Sequence, residues 1–317
     1  MKESINFCPF PGTESLPDGW PGRLPGFLND HGLDGIELQV WGSEPYADPF
    51  PETIGVHLRH WPFWMDFWLD DRDELARNHP DHASMKRWFM GAENREQWIE
   101  AIRANIAASL SYRPEYLVWH VTHCGLDESY HRRFRYSSEQ IIDATVELFN
   151  MVSDAIPDSV TVLFENLWWN GLTLLEPRLT DRLFNGISRE KAGIMLDTGH
   201  LMNCNWELRS EADAVAFIRR AVAGMGACSP LIKGVHLSCS LSGEYQKSCL
   251  CLRQPGFDMM KIFSHIAQID RHRPFTEAPL KAMLDDIEPC WLVHELFYTS
   301  LPELSGLLTK QKALMLR

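Results

Sequence analysis

Positive charge is scarce in this sequence, and long uncharged apolar runs are missing. Its 30 lysine and arginine residues face 43 aspartate and glutamate residues, which gives a formal net charge of −13. Nucleic-acid binding normally needs a basic stripe, and none is visible, so we expect no nucleic-acid partner. No stretch reaches the length of a membrane span, and the opening MKESINFCPF lacks the pattern of a signal peptide. The sequence therefore predicts a cytoplasmic protein without a membrane partner.

A disulfide framework and a flexible linker are also missing. The eight cysteines are spread along the chain without regular spacing, which is typical of reduced thiols. Cys249 and Cys251 could form a redox or metal-binding pair, but a structural zinc site normally has four ligands, so loop thiols are the favoured interpretation. No Ser/Gly linker, composition shift or low-complexity tract divides the sequence, which predicts one domain over residues 1–317.

Short apolar runs alternate with amphipathic segments along the whole sequence. The runs are rich in β-branched and aromatic residues and too short for helices, whereas the segments repeat apolar residues three and four apart. Such alternation is typical of βαβ units, and eight runs predict a single parallel (β/α)₈ TIM barrel of the α/β class. The predicted strands are residues 5–9, 35–40, 53–58, 116–121, 160–165, 192–197, 232–237 and 290–296.

Five amphipathic segments predict helices, and two connections are longer than a barrel needs. Ser137 and Ser138 precede the second helix as candidates for its N-cap. The long connections follow strands three and seven, at residues 60–91, which are rich in tryptophan, and 238–257. Long loops tend to be functional, so the Trp-rich stretch is either an active-site lid or an oligomer contact or covered apolar patch. The predicted helices are residues 96–110, 139–156, 212–223, 259–269 and 301–314.

Four of the predicted strands lead into a residue that can bind a metal ion. Glu165 follows VTVLF, Asp197 follows GIML, His236 follows IKGV and Glu295 follows WLVH. Each alone has an ordinary explanation, as a salt-bridge partner or a packed side chain. In a parallel barrel, however, the C-terminal strand ends meet at one face, where all four would converge. One nitrogen and three carboxylate ligands suit one divalent ion such as Mn²⁺, Mg²⁺, Co²⁺ or Zn²⁺.

Six short motifs, in order along the chain, carry a family resemblance. They are DGIEL (34–38), GVH (55–57), FEN (164–166), LDTGH (196–200), GVHLS (234–238) and HEL (294–296). Together they resemble the xylose-isomerase-like TIM-barrel superfamily, which includes sugar isomerases and epimerases, hydroxypyruvate isomerase, inosose dehydratase and endonuclease IV. LDTGH is the most specific of the six, and the resemblance spans nearly the whole chain.

The resemblance implies a role for each of the strand-end residues. It makes Glu165, Asp197, His236 and Glu295 the metal ligands, and it makes His200 a contact to a substrate oxygen or to a further metal. In the epimerase branch the two glutamates also act as a catalytic acid/base pair. Such a pair exchanges a carbon-bound proton while the metal stabilises the enediolate.

Six further residues are candidates for substrate binding. His57 and either His120 or His123 lie at strand-end positions where endonuclease IV carries further zinc ligands, so these histidines would bind substrate hydroxyls or simply pack. The glutamate matches a residue that the family often keeps beside the site, and a buried hydrogen-bonding role is an equal interpretation. The two tryptophans follow the end of strand five and would wall a sugar pocket or pack in the core. These residues are His57, His120, His123, Glu37, Trp168 and Trp169.

Two features of related branches are not found where the resemblance would place them. Endonuclease IV has an Asp-x-His pair after the residue that matches His236, which completes a three-zinc site, whereas this chain continues LSCSLSGEYQKSCLCL. The ketose epimerases place an arginine a few residues beyond the same histidine, and here the first candidate is Arg253. We therefore predict a mononuclear site.

A divalent-metal-dependent isomerase or epimerase of a sugar or related polyhydroxy-carbonyl compound is the leading prediction. A dehydratase of a polyol ketone is a close neighbour, because both reactions remove the proton beside a carbonyl. Two further classes stay open: an endonuclease IV-like phosphodiester hydrolase, which the acidic charge opposes, and a non-catalytic binding protein on the same fold. The family often forms homodimers or homotetramers, and the resemblance extends that expectation to this chain.

Overall fold

Eight parallel strands form a closed barrel in this computed structural model, which describes residues 1–9, 20–60, 62–79, 81–250 and 258–316. Each strand pairs with the next along the chain, and the first pairs with the last. This confirms the predicted (β/α)₈ class. The strands are β1 Lys2–Phe7, β2 Gly35–Val40, β3 Thr53–Leu58, β4 Tyr116–His120, β5 Thr161–Glu165, β6 Ala192–Asp197, β7 Ile232–Leu237 and β8 Trp291–His294.

The five predicted amphipathic segments all form helices on the barrel, whereas two further long helices, at Trp20–Asp30 and Pro177–Gly186, were not predicted. The helix predicted over residues 139–156 ends earlier, at Val152, and is followed by a 3₁₀ turn at Ser153–Ala155. Ser137 caps this helix, because its hydroxyl accepts from the backbone N–H of Gln140. In return, the side-chain oxygen of Gln140 accepts from the backbone N–H of Ser137. The longer helices are α1 Trp20–Asp30, α5 Arg95–Leu110, α7 Ser138–Val152, α8 Pro177–Gly186, α10 Glu211–Gly224, α12 Met259–Ile269 and α14 Leu301–Met315.

Shorter helices lie in the connections. They are α2 Met65–Trp68, α3 Arg72–Asn78, α4 His82–Trp88, α6 Glu128–His131, α9 Thr198–Asn203, α11 Gly243–Cys249 and α13 Lys281–Ile287, with a further 3₁₀ turn at Gly226–Leu231. Among the described residues, no helix is long and apolar enough to cross a membrane.

The Trp-rich connection after β3 is folded onto the chain itself. Trp64, Phe67 and Trp68 are buried, and the Phe67 ring stacks on Phe89 at 3.9 Å between centroids. The Trp64 indole N–H donates to the Thr122 carbonyl at 2.7 Å, which fastens the connection to the segment after β4. These aromatic side chains therefore form a covered apolar patch. In the other long connection, Cys251 and Arg253 lie outside the described residues.

Alternation along the strands decides which side chains enter the barrel. In β5, Val162 and Phe164 pack outward against the helices, while Leu163 joins a buried cluster inside the barrel. In β6, Met195 belongs to the same inner cluster. A strand places every second residue on the same face, so the residues two positions further on, Glu165 and Asp197, also point into the barrel.

Candidate metal centre

Four polar side chains converge where β5 to β8 end. Glu165, Asp197, His236 and Glu295 are all buried, and each offers a ligand atom within 4.8 Å of the others. The His236 Nδ1 lies 3.2 Å from Glu295 Oε2, 3.4 Å from Glu165 Oε1 and 3.9 Å from Asp197 Oδ2. We call these four residues the central cluster. The structure thus brings together the four residues that the sequence predicted as metal ligands.

The central cluster is short of hydrogen-bond partners. Both carboxylate oxygens of Glu165, Asp197 Oδ2, His236 Nδ1 and Glu295 Oε2 are buried and make no hydrogen bond of good geometry in the described structure, although imidazole nitrogens lie close to Glu165 and Glu295. A buried carboxylate without a partner costs several kcal/mol or neutralises, whereas a divalent cation satisfies several at once. The residues therefore fit a metal ion.

Glu37 fixes the orientation of the histidine in the central cluster. The His236 Nε2 lies 2.9 Å from one carboxylate oxygen of Glu37 and 3.0 Å from the other, and the Tyr116 hydroxyl donates to Glu37 at 2.8 Å. In neutral His236 this contact would keep the proton on Nε2, and Nδ1 would then offer its lone pair to a metal ion among the carboxylates. A carboxylate behind a histidine in this way is common in metal sites.

A second group shares Glu165 with the central cluster. His57 Nε2 and His120 Nε2 lie 3.2 and 2.9 Å from Glu165 Oε2 and 2.9 Å from each other. The His57 Nδ1 donates to the Leu58 carbonyl at 2.9 Å, which directs its Nε2 towards Glu165 and His120. We call His57, His120 and Glu165 the β4 cluster. Two imidazole nitrogens facing one carboxylate oxygen are a metal-binding arrangement.

A third group forms beside the central cluster. His200 Nε2 and His272 Nε2 lie 3.1 and 2.6 Å from Asp270 Oδ2. Their Nδ1 atoms donate to backbone carbonyls, His200 to Asn166 at 2.9 Å and His272 to Glu295 at 3.1 Å, so both Nε2 atoms are directed at the same carboxylate oxygen. We call His200, Asp270 and His272 the β6 cluster, and its three residues are buried.

The β6 cluster corrects one step of the sequence analysis. The chain does contain an Asp-x-His pair after His236, but Asp270 and His272 follow only after the long connection and α12. An antiparallel bridge between Cys239 and Arg273 brings the pair back to the end of β7. The prediction that no such pair follows His236 is therefore wrong, and with it falls the reason for predicting a mononuclear site; the sequence signal was DRH at residues 270–272.

The remaining predicted site residues, Trp168, Trp169 and His123, are not members of the three clusters. The Trp168 ring is 5.0 Å from the His200 ring and 4.6 Å from the Trp169 ring, and both tryptophans are buried in a small apolar cluster with Phe63. His123 belongs to none of the three clusters. Its Nδ1 accepts from the backbone N–H groups of Trp64 and Met65 at 3.2 and 3.1 Å, at the start of α2.

The pKa values of two carboxyl groups in the central cluster are shifted in opposite directions. Burial alone would raise the pKa of Glu165, but His120 and His236 outweigh it and hold that pKa well below its ordinary value. Burial raises the pKa of Asp197 well above its ordinary value, and the nearby Glu295 carboxylate adds to the effect. Such opposite shifts in one cluster are typical of a functional site. A cation between the carboxylates of Asp197 and Glu295 would relieve their repulsion.

The chain belongs to the xylose isomerase-like TIM barrel family, whose model matches residues 26–316. Members of this superfamily are mostly enzymes. No curated protein matches the sequence.

Several solved structures share the fold across nearly the full length of both chains. The D-psicose 3-epimerase in the presence of D-fructose has a TM-score of 0.51 at 12% identity, covering 100% of this chain and 97% of its own. A 3-keto-D-glucoside 4-epimerase from E. coli has a TM-score of 0.50 at 12% identity, covering 100% of both chains. Endonuclease IV from Thermus thermophilus has a TM-score of 0.50 at 13% identity, covering 99% of both. At these identities the likeness is one of fold.

Proposed function

We propose that this protein is a hydrolase that holds up to three divalent metal ions and cleaves a phosphate ester. The observation that carries this proposal is the set of three adjoining ligand clusters, two of which share Glu165. A mononuclear sugar isomerase would need only the central cluster. It would leave without a role in the reaction the two pairs of imidazole Nε2 atoms that meet at Glu165 and Asp270, those of His57, His120, His200 and His272.

Multi-metal sites suit phosphate esters for electrostatic reasons. Divalent ions held side by side lower the pKa of a bound water and neutralise charge on phosphoryl oxygens, as in phosphatases and nucleases. The large share of imidazole ligands favours Zn²⁺ or Co²⁺ over Mg²⁺. In this arrangement the chain's own contribution is positional: Glu165 lies between two clusters, Glu37 orients His236, and backbone carbonyls orient the other rings.

The charge of the chain points to a small substrate. Its net charge of −13 repels polyanions, and several arginines are already paired with carboxylates, such as Arg178 with Glu139 and Glu176, and Arg182 with Asp143. We therefore propose a small phosphate ester as substrate, in place of a nucleic acid.

Metal content together with a phosphoesterase assay tests the proposal. The zinc-reconstituted protein, measured by inductively coupled plasma mass spectrometry, should hold about three ions per chain. It should release p-nitrophenolate from p-nitrophenyl phosphate or its bis-ester, and a chelator should stop the reaction. Glu165→Gln should abolish turnover, whereas Glu100→Gln, at an exposed position of α5, should not. One tightly bound ion with no release from either ester would contradict the proposal.

An isomerase or epimerase of a sugar or related hydroxy-ketone is the second candidate, with a dehydratase as its neighbour. It is favoured by the central cluster itself, in which Glu165 and Glu295 both lie within 3.4 Å of His236 Nδ1 and would flank a metal-bound substrate. The epimerase folds support it too. Mn²⁺-loaded protein in D₂O should then place deuterium beside the carbonyl of a true substrate, and full retention of that hydrogen would contradict proton transfer by these glutamates.

A further inference from the structure

One of the five histidines in the clusters has an unusual environment. Four of them present one nitrogen to their cluster and bind a protein group with the other: His57 binds Leu58 O, His200 binds Asn166 O, His236 binds Glu37 and His272 binds Glu295 O. The fifth, His120, presents Nε2 to Glu165, but its Nδ1 is buried without a partner among the described residues. An imidazole N–H in that position normally has an acceptor.

A small cavity lies beside His120. Its volume is about 40 Å³, and its walls come from the ends of β3 and β4 and from helices α5 and α7. Thr145 and His60 line the same cavity, and Thr145 Oγ1 and His60 Nε2 are also buried without partners in the described structure. The cavity therefore collects three unsatisfied polar atoms.

The size and lining of this cavity suit water. A cavity needs roughly 10–15 Å³ of space open to a water-sized sphere to hold one water, which also needs two to four polar partners to remain in a protein interior. Apolar cavities stay dry even when they are larger, but polar partners are present here. Thr145 is 1% exposed and lines this cavity together with His60 and His120.

We propose that the cavity holds an ordered water that accepts a hydrogen bond from His120 Nδ1–H and donates to Thr145 Oγ1 and His60 Nε2. The water keeps the His120 proton on Nδ1, so that Nε2 offers a lone pair to a metal in the β4 cluster. Thr145 is thereby a positioning residue that acts on the metal through the water and His120. This inference rests on the proposed function in one respect, that His120 is a metal ligand.

Two substitutions of Thr145 test the proposal. Thr145→Val keeps the shape and removes the hydroxyl, whereas Thr145→Ser keeps the hydroxyl. In crystals of the wild-type protein and of Thr145→Ser, density for a water should lie within hydrogen-bond distance of His120 Nδ1, and in Thr145→Val it should be weak or missing. Zinc titration should show one of about three ions bound roughly 10- to 100-fold more weakly in Thr145→Val, with the Ser variant restored.

The outcomes separate this inference from the proposed function. If the wild-type protein binds a single ion, the proposed function fails. The presence of the water can still be decided from the electron density of metal-free crystals. If the wild-type cavity is dry, or if Thr145→Val binds three ions with unchanged affinity, the positioning role is overturned whatever the reaction. If Thr145→Val does not fold, the wild-type and Ser crystals still decide whether the water is there.

Discussion

Glu37 lies behind His236 at 2.9 Å, on the side of the ring opposite the central cluster. Both side chains are almost fully buried, so their contact is shielded from solvent. Glu37 also accepts from the Tyr116 hydroxyl, which limits its freedom to turn. The pair therefore sets both the tautomer and the direction of the one nitrogen ligand in that cluster.

Glu37→Gln tests this relationship. An amide is a weaker acceptor than a carboxylate, so the His236 ring should be less firmly held and less basic. We expect the affinity of the central cluster for Zn²⁺ or Mn²⁺ to fall about 10- to 100-fold, as measured by competition with a chromophoric chelator.

Glu3→Gln is the matched control for Glu37→Gln. Glu3 makes a similar contact with the buried His294 at 2.7 Å, but neither residue belongs to a metal cluster. That variant should keep the wild-type affinity. Equal affinities in all three proteins would contradict the orienting role of Glu37.

The β6 cluster should hold its own ion. His272→Ala removes one of two imidazole ligands that face Asp270, but leaves the ligand atoms of the central cluster intact. Native mass spectrometry should therefore show the loss of one ion per chain, with the others retained. His82→Ala, on the exposed start of α4, should retain the full number. Loss of every ion in His272→Ala would contradict separate sites.

The central cluster was predictable from the sequence because strands have a fixed period. Glu165 and Asp197 follow apolar runs, and the alternation in each strand places them inside the barrel with Leu163 and Met195. Convergence at the C-terminal face then follows from the parallel topology alone. No knowledge of the loops was needed, so this part of the site could be inferred from local pattern and fold class.

The β6 cluster could not be found in the same way. Asp270 and His272 lie on no strand of the barrel, and their position depends on how the long connection after β7 folds back. The backbone bond from Cys239 N–H to the Arg273 carbonyl, 2.7 Å long, fixes that return. Such a contact between segments far apart in the sequence produces no periodic pattern from which it could be predicted. His123 shows the reverse case, since its nearness to His120 in sequence does not bring it into a cluster.

Abasic-site DNA should be neither bound nor cut at physiological salt. Affinity for DNA comes largely from phosphate contacts by lysine and arginine, and this chain has an excess of 13 acidic residues. Gel shift and nicking assays at about 150 mM salt with zinc-loaded protein would check this. Cleavage that requires metal and disappears in Glu165→Gln would reverse the choice of a small substrate, while leaving the multi-metal hydrolase in place.

His123 should make the metal-free protein less stable in acid. Burial lowers its pKa from 6.5 to about 3, with a contribution from Arg135, so the folded chain keeps it neutral. Between those values the unfolded chain binds a proton that the folded chain does not, so stability is lost as pH falls below 6.5. The loss is at most about 1.4 kcal/mol per pH unit.

The comparison for His123 is His123→Gln, whose amide oxygen can accept from the same backbone N–H groups but does not titrate. We expect the difference in Tm between the wild-type protein and this variant to shift against the wild type as pH is lowered from 7 to 4.5. The other histidines contribute equally to both proteins and cancel. A difference that stays constant with pH would show that His123 is not held neutral.

Gly55 should control the metal site without touching it. A Cβ at this position of β3 would overlap the Tyr116 ring, whose hydroxyl donates to Glu37. The ring is fully buried, so it can move only by disturbing its neighbours in the barrel. Gly55→Ala should therefore destabilise the protein by about 1–3 kcal/mol through overpacking.

A displaced Tyr116 ring should also weaken metal binding, through the hydrogen bonds that join Tyr116 to Glu37 and Glu37 to His236. If Tyr116 no longer holds Glu37, the support behind His236 weakens, so Gly55→Ala should bind the central ion less tightly than wild type even at a temperature where it is fully folded. Gly306→Ala is the control, because a Cβ there meets nothing within 4 Å and alanine favours the helix α14. Denaturation curves and chelator competition would measure both quantities. A Gly55→Ala protein that loses stability but keeps its metal affinity would contradict the proposed link from Tyr116 through Glu37 to His236.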